Sequence, residues 1–343
     1  MRLVTSALLV AATAFAQQGQ PSVSNARLET RTFSGNLDSQ IKAATPTWFG
    51  YAIKTVRTHR DSCCSSGDGS CGCSLEGNRA NAVSGAQPAG AVQLEGSQTL
   101  AVLFRVANNS VEQIRGFSLS CSLDAGGLPF IWITGVPPEE SLSYLEKLVR
   151  AGASDHVVDG AIFAIAEHDN PRADAILDQL TRPTEPEKIR EKATFWLGAS
   201  RGARGVTILK EILANDPSEH VRDKAVFALS ISKQPEALDT LIRAAKTDPS
   251  PHVRGQAIFW LAQKAGQRAS STITDAIAND PDTGVKKRAV FALSQLPSGE
   301  GIPKLIEVAR TQRNPEVRKQ AFFWLGQSKD TRALAFIEDV LTK

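Results

Sequence analysis

Six segments of this chain superimpose on one another at a spacing of 32 residues, without an insertion. Valine or isoleucine stands at Val157, Ile189, Val221, Val253, Val285 and Val317. Four positions on come Ala161, Ala193, Ala225, Ala257, Ala289 and Ala321. Two beyond those are Phe163, Phe195, Phe227, Phe259, Phe291 and Phe323, and then Ile165, Leu197, Leu229, Leu261, Leu293 and Leu325. A gapless period of this length means one supersecondary unit stacked on copies of itself. It excludes a single central core for this half of the chain. Each unit carries too few apolar residues to bury alone and must use its neighbours.

Each copy predicts two helices. Val221, Ala225, Ala228 and Leu229 fall at i, i+4, i+7 and i+8, one face of a helix. Leu241 and Ala244 mark a second helix, and Pro235 suits its first turn, where a missing N–H goes unused. Asp216-Pro217, Asp248-Pro249 and Asp280-Pro281 punctuate the copies. The register extends backwards, since Leu145 lies 32 before Leu177 and Leu148 lies 32 before Leu180. Residues 139–150 therefore read as the second helix of an incomplete leading repeat, begun at Pro137-Pro138.

The run Val221-Arg222-Asp223-Lys224-Ala225-Val226-Phe227-Ala228-Leu229 resembles the HEAT-type repeat of the phycobilisome-lyase-like class. Residues 289–294 (Ala-Val-Phe-Ala-Leu-Ser) and 321–326 (Ala-Phe-Phe-Trp-Leu-Gly) resemble exported bacterial HEAT-repeat proteins. The expected fold is α-rich: a right-handed α-solenoid of HEAT-like helix pairs over 139–343, preceded by a small α+β or β-rich domain over 26–136. The resemblance says little about chemistry, because lyases, hydroxylases and plain scaffolds share the repeat. It implies an Asp–Arg ladder joining adjacent repeats, carried here by Asp216, Arg222, Asp248, Arg254, Asp280, Lys286 and Arg318. An acid in such a loop caps a helix start while pairing with the basic residue. HEAT-type deoxyhypusine hydroxylases hold iron with His-Glu dyads. This chain has Glu167-His168 and Glu219-His220, in the reverse order and different registers, so that assignment is rejected.

The phenylalanine column has two readings. On a helical wheel Phe227 falls about 120° from Val221, well off the apolar face. The six rings either pack between neighbouring first helices or form an aromatic ridge that docks a partner. The next position alternates Ala164, Trp196, Ala228, Trp260, Ala292 and Trp324, a super-period of 64. Large against small at facing positions predicts interdigitated core packing. His156, His220 and His252 share one position, but adjacent copies sit too far apart for two of them to hold one ion. They read as exposed first-turn residues.

The front domain alternates in strand fashion over 27–33, 47–56, 92–95, 99–106, 111–121 and 129–134, with a short helix over 37–44. Asn108-Asn109 predicts a hairpin turn, and 77–90 a loose loop. Cys63, Cys64, Cys71 and Cys73 crowd into eleven residues around a Gly/Ser segment, with Cys121 later. In an exported protein such cysteines are disulfides by default, and five leaves one odd. The alternative is a thiolate site for zinc or copper(I), although the spacing lacks paired CxxC motifs. No other cofactor is expected.

Met1-Arg2, an apolar run over 3–14 and Ala14-Phe15-Ala16 make a secretory signal with cleavage after Ala16. Residues 17–25 read as a flexible leader, and the expected location is the periplasm or cell exterior. No later segment reaches eighteen apolar residues, so the mature chain has no expected transmembrane segment. Composition narrows the classes further. Hydrophobic residues at 42% and charged residues at 22% exclude wholesale disorder. Residues 139–343 hold 29 Lys/Arg against 28 Asp/Glu, which leaves no basic excess to grip a nucleic acid. There is no nucleotide-binding glycine loop, nucleophile elbow or His/carboxylate set, and Gly67-Asp68-Gly69 is too short for a phosphate loop. The leading reading is a non-enzymatic scaffold that binds a protein or peptide through the phenylalanine column and second-helix face. The alternative is a thiol-dependent redox or metal-binding protein using the 63–73 cluster. A chromophore lyase rests on fold likeness alone.

Overall fold

A computed structural model describes residues 19–59, 72–76 and 97–342 of the 343-residue chain. The expected signal peptide over 1–16, Cys63, Cys64, Cys71, the expected loop over 77–90 and the expected strand over 92–95 lie outside the described residues. The chain divides into two compact units, Met1–Lys54 with Thr58–Glu140, and Thr55–Arg57 with Ser141–Lys343.

The first unit holds β1 (Ser22–Ser24), β2 (Arg27–Thr32), α1 (Leu37–Gln40), β3 (Thr47–His59), β4 (Gly72–Ser74), β5 (Ser97–Ala107), β6 (Ser110–Ser118), β7 (Ser122–Asp124) and β8 (Pro129–Thr134). A five-stranded mixed sheet has the order β2-β8-β3-β5-β6, and a three-stranded sheet the order β1-β7-β4. Alternation along the strands aims Trp48, Ala52, Ala101, Leu103, Phe117, Phe130 and Trp132 into one core, closed by Cys73, Leu75, Cys121, Leu123 and Ala125. Gly50 is required beside these rings. A Cβ there would lie 2.6 Å from Leu103 and 3.0 Å from Trp132. Asn108 and Asn109 take φ of +52° and +56° between β5 and β6, the left-handed pair of a type I′ hairpin.

Three sequence expectations change here. Residues 22–24 are not leader but β1, because Val23 packs on the core and β7 offers an open parallel edge. The 37–44 helix is a single turn, capped by the Asn36 side chain and ended at Ile41. The 111–121 strand stops at Ser118, where a turn closed by Cys121 N–H to Ser118 carbonyl at 3.1 Å starts β7.

The second unit is a helical array. It opens with α2 (Pro138–Arg150), the second helix of the incomplete repeat. Six pairs follow: α3 (Asp155–Glu167) and α4 (Pro171–Leu180), α5 (Glu187–Ser200) and α6 (Gly202–Asn215), α7 (Glu219–Ile231) and α8 (Glu236–Thr247), α9 (Pro251–Ala265) and α10 (Ser270–Asn279), α11 (Thr283–Ser294) and α12 (Ser298–Thr311), α13 (Pro315–Gln327) and α14 (Thr331–Leu341). First helices stack on first helices and second on second. The apolar columns of the sequence make the seam. Val221, Ala225 and Leu229, with their register mates from Val253 to Leu325, are buried. The small alanines let helices approach closely. At Gly198 even a methyl is excluded, since a Cβ would lie 2.2 Å from the Ala228 carbonyl oxygen.

Candidate functional site

The phenylalanines leave the seam at its edge. None of the six is fully buried: Phe163, Phe195, Phe227, Phe259 and Phe291 are half-buried and Phe323 is exposed. They are joined into one unbroken series of nine rings. Phe163 meets Trp196 at 4.8 Å between centroids, and Trp196 meets Phe195 edge-on at 4.9 Å. Phe195 stacks on Phe227 at 6.1 Å, and Phe227 meets Trp260 at 5.1 Å. Trp260 meets Phe259 at 4.9 Å, and Phe259 stacks on Phe291 at 6.1 Å. Phe291 meets Trp324 at 4.9 Å, and Trp324 meets Phe323 at 5.0 Å. Such pairs each contribute about 0.5–1.5 kcal/mol beyond area burial.

Both sequence readings of the column therefore describe part of it. The rings pack between neighbouring first helices and still leave their outer edges to solvent. The tryptophans are a correction. Trp196, Trp260 and Trp324 are half-buried wedges in the ladder, not core, while Ala164, Ala228 and Ala292 at the alternate positions are fully buried. An indole fills the gap between successive Phe pairs, which is the physical meaning of the 64-residue period. The Trp324 N–H is buried with no hydrogen-bond partner among the described residues. Trp324 also lines a cleft of about 220 Å³ with Leu293, Gln295, Ile302 and Gln327.

A second series, an ionic one, joins successive repeats. Arg190 pairs with Asp216 at 2.9 and 3.2 Å, Arg222 with Asp248 at 3.0 and 3.2 Å, and Arg254 with Asp280 at 2.7 and 2.9 Å. Each aspartate also accepts the backbone N–H two residues on, from Ser218, Ser250 and Asp282. Each arginine turns its remaining fork to loop carbonyls, at Glu185, Asp216 and Asp248. Burial pushes the Asp280 carboxyl up, but hydrogen bonds from Arg254 and the Asp282 amide, with the Arg254 charge, bring it below the ordinary aspartate value. The hydrogen bond to Asp280 correspondingly raises Arg254. Lys286 and Arg318 do not join this ladder. Gln312 stands 26 positions ahead of Lys286, where an aspartate would pair with it, and Lys286 donates to the Ala278 carbonyl; Arg318 makes the loop bond that Arg222 and Arg254 also make, to the carbonyl six residues back, here that of Gln312.

A buried polar joint at the α3–α4 corner had no signal in the repeat pattern. Arg201 is off-register, and its guanidinium bonds Asp174 at 2.7 Å and the carbonyls of Ala166, His168 and Asn170. Fully buried Glu167 accepts from Ser200 at 2.7 Å. His168 bonds the Ala164 carbonyl at 2.6 Å through Nδ1 and Ser141 at 2.9 Å through Nε2. Glu167 and His168 thus serve the corner, while Glu219 bonds Ser250 one repeat away. His156 and His220 are exposed, and His252 lies 3.7 Å from Asp223.

In the first unit, Cys73 and Cys121 are fully buried, and each is disulfide-bonded. Glu76 accepts from Trp48 at 2.8 Å and Arg105 at 3.0 Å. Burial raises its carboxyl, yet these two donors and the Arg105 charge hold it below the usual glutamate value. Among the described residues, no group of three or more His, Cys, Asp or Glu side chains is placed to hold a metal ion. No helix among them is long and apolar enough to cross a membrane.

Stacked helix pairs, three of whose successive corners are tied by Asp–Arg pairs, define an α-solenoid of HEAT-like repeats. The family description "HEAT repeats" matches residues 173–262 and 270–343. No curated protein sequence matches the chain. Similar solved structures include human deoxyhypusine hydroxylase in complex with glycerol, 19% identical, with 60% of this chain and 78% of that one covered at a TM-score of 0.26. The complex of CpcE and CpcF of phycocyanin lyase from Nostoc sp. PCC7120 is 24% identical, covering 51% and 100% at 0.32. Kap95p bound to RanGDP is 17% identical, covering 60% and 32% at 0.41.

Proposed function

We propose that the protein is a non-enzymatic scaffold, exported to the periplasm or cell exterior, that binds a protein or peptide along its first-helix edge. The observation that carries this reading is the nine-ring ladder, continuous over all six pairs with its outer edges uncovered. Aromatic rings supply large contact area at low entropic cost, and they concentrate at protein interfaces. The near balance of charge on 139–343 favours such a partner over a nucleic acid. Export rests on residues 1–16, whose charge, apolar run and small residues make the signal pattern.

The test is crosslinking capture from the native envelope with three proteins. Wild type and a Cys63→Ser/Cys64→Ser variant are expected to retain the same partner. A Phe195→Ser/Phe259→Ser variant, shown folded by its circular dichroism, is expected to lose it. Loss in the cysteine variant with retention in the phenylalanine variant would instead support the thiol-based alternative, with zinc or copper(I) as the metal.

A further inference from the structure

The near balance of charge on the helical array hides a segregation along the ladder. Residues four apart on a helix are neighbours on one face, so the position four before each phenylalanine lies beside its ring. From α3 to α13 that position holds Asp159, Glu191, Asp223, Gly255, Lys287 and Lys319. Three acids are followed by a neutral residue and two bases. The helix starts repeat the division. α3, α5 and α7 begin with Asp155, Glu187 and Glu219, whereas α9 and α11 contain no acidic residue and α11 sets Arg288 next to Lys287. All of these charged side chains reach solvent. Glu191, Lys287 and Lys319 have no ion partner among the described residues. Asp159 and Asp223 meet Lys192 and His252 only at the surface, where such pairs contribute little.

We propose that the first-helix edge takes an extended protein segment of the opposite polarity: a basic block over α3, α5 and α7, an acidic block over α9, α11 and α13, and apolar side chains on the rings between. This rests on the reading of the ladder as a binding edge, and it adds the chemistry and the direction of what binds. A segment basic throughout, or acidic throughout, is repelled at one end of the edge by the same charges that hold it at the other. A segment with both blocks is held at both ends, in one direction only. First helices about 8–10 Å apart put α3 and α13 about 40–50 Å from one another along the array. At about 3.3 Å per residue, an extended segment of about 12–15 residues covers that length.

Three synthetic peptides of about 16 residues test it on the full chain by fluorescence anisotropy. All have alternating leucine and serine at the centre. One carries lysines at one end and glutamates at the other, one lysines at both ends, and one glutamates at both. Wild type is expected to bind the two-sign peptide at least about 10-fold tighter than either other in about 50 mM salt, and to lose most of that preference in about 1 M salt. Asp159→Lys/Glu191→Lys/Asp223→Lys makes the edge predominantly basic and should shift the preference to the glutamate peptide. Adding Lys287→Glu/Arg288→Glu/Lys319→Glu restores two signs in reverse order, and the two-sign peptide should again bind best, turned end for end. The milder Glu191→Gln/Asp223→Asn should weaken the wild-type preference by about threefold. A wild type that binds the three peptides within about threefold of one another, or binds none, overturns the proposal. So does a ranking that survives the acid-end reversal. Phe195→Ser/Phe259→Ser separates the proposal from the reading of the ladder, and it should weaken all three peptides alike. Binding that ignores this variant but still follows the charge reversals upholds the polarity and removes the rings from the contact. Binding that needs the rings but shows no ranking by charge upholds the ladder and overturns the polarity.

Discussion

Arg222 on α7 donates two hydrogen bonds to Asp248, 26 positions ahead at the next repeat corner, and both groups are buried. Asp248 in turn accepts the Ser250 N–H that opens α9. One ion pair therefore sets both the spacing of two repeats and the start of the next helix.

Arg222→Ala leaves the Asp248 carboxylate buried without its cation. It is expected to cost about 3–5 kcal/mol, whereas Arg222→Leu/Asp248→Leu recovers most of the loss. Urea unfolding followed by far-ultraviolet circular dichroism checks both. A double variant no more stable than the single would refute the desolvation argument.

Acid should loosen the same ladder in a defined direction. The folded Asp280 carboxyl titrates below its ordinary value of 3.8, so its contribution is complete above that value and lost as pH falls through the lower, folded one. Asp280→Asn lacks this component. The gap in urea midpoint between wild type and variant should be widest near neutral pH and shrink below about pH 4.

Gly198→Ala forces a methyl against the Ala228 backbone and is expected to destabilise by about 1–3 kcal/mol or more. Gly299→Ala, on α12 with nothing within 4 Å, is expected to stabilise by up to about 1 kcal/mol. Thermal melts of the two variants should move in opposite directions.

Cys73 and Cys121 anchor the core of the first unit. Cys73→Ser is expected to cost that unit about 2–5 kcal/mol, and reductant to lower its melting temperature. Near-ultraviolet dichroism of Trp48 and Trp132 would report this, while the helical signal of the array persists.

Much of this architecture was legible in the residues. The gapless 32-residue period gave the helix pairs, because a repeat must present the same apolar face to the same neighbour each time. Alternation gave β3, β5 and β8, and Asn108-Asn109 gave the hairpin turn from β5 to β6, because left-handed backbone there suits asparagine. β1 escaped notice because three residues hold no pattern, and only the edge of β7 makes a strand of them.

The site divides in the same way. Residue spacing alone determined that six phenylalanines recur at one position of the repeat and three tryptophans, alternating with alanine, at the next. Only the tertiary structure decided that they touch in a single series and that their outer edges stay open. It also decided that Arg222 reaches forward to Asp248, and that Gln312 stands where the ladder had been expected to continue from Lys286. Spacing along a helix sets direction, but contact depends on how far apart two helices lie. That distance is set by what packs between them.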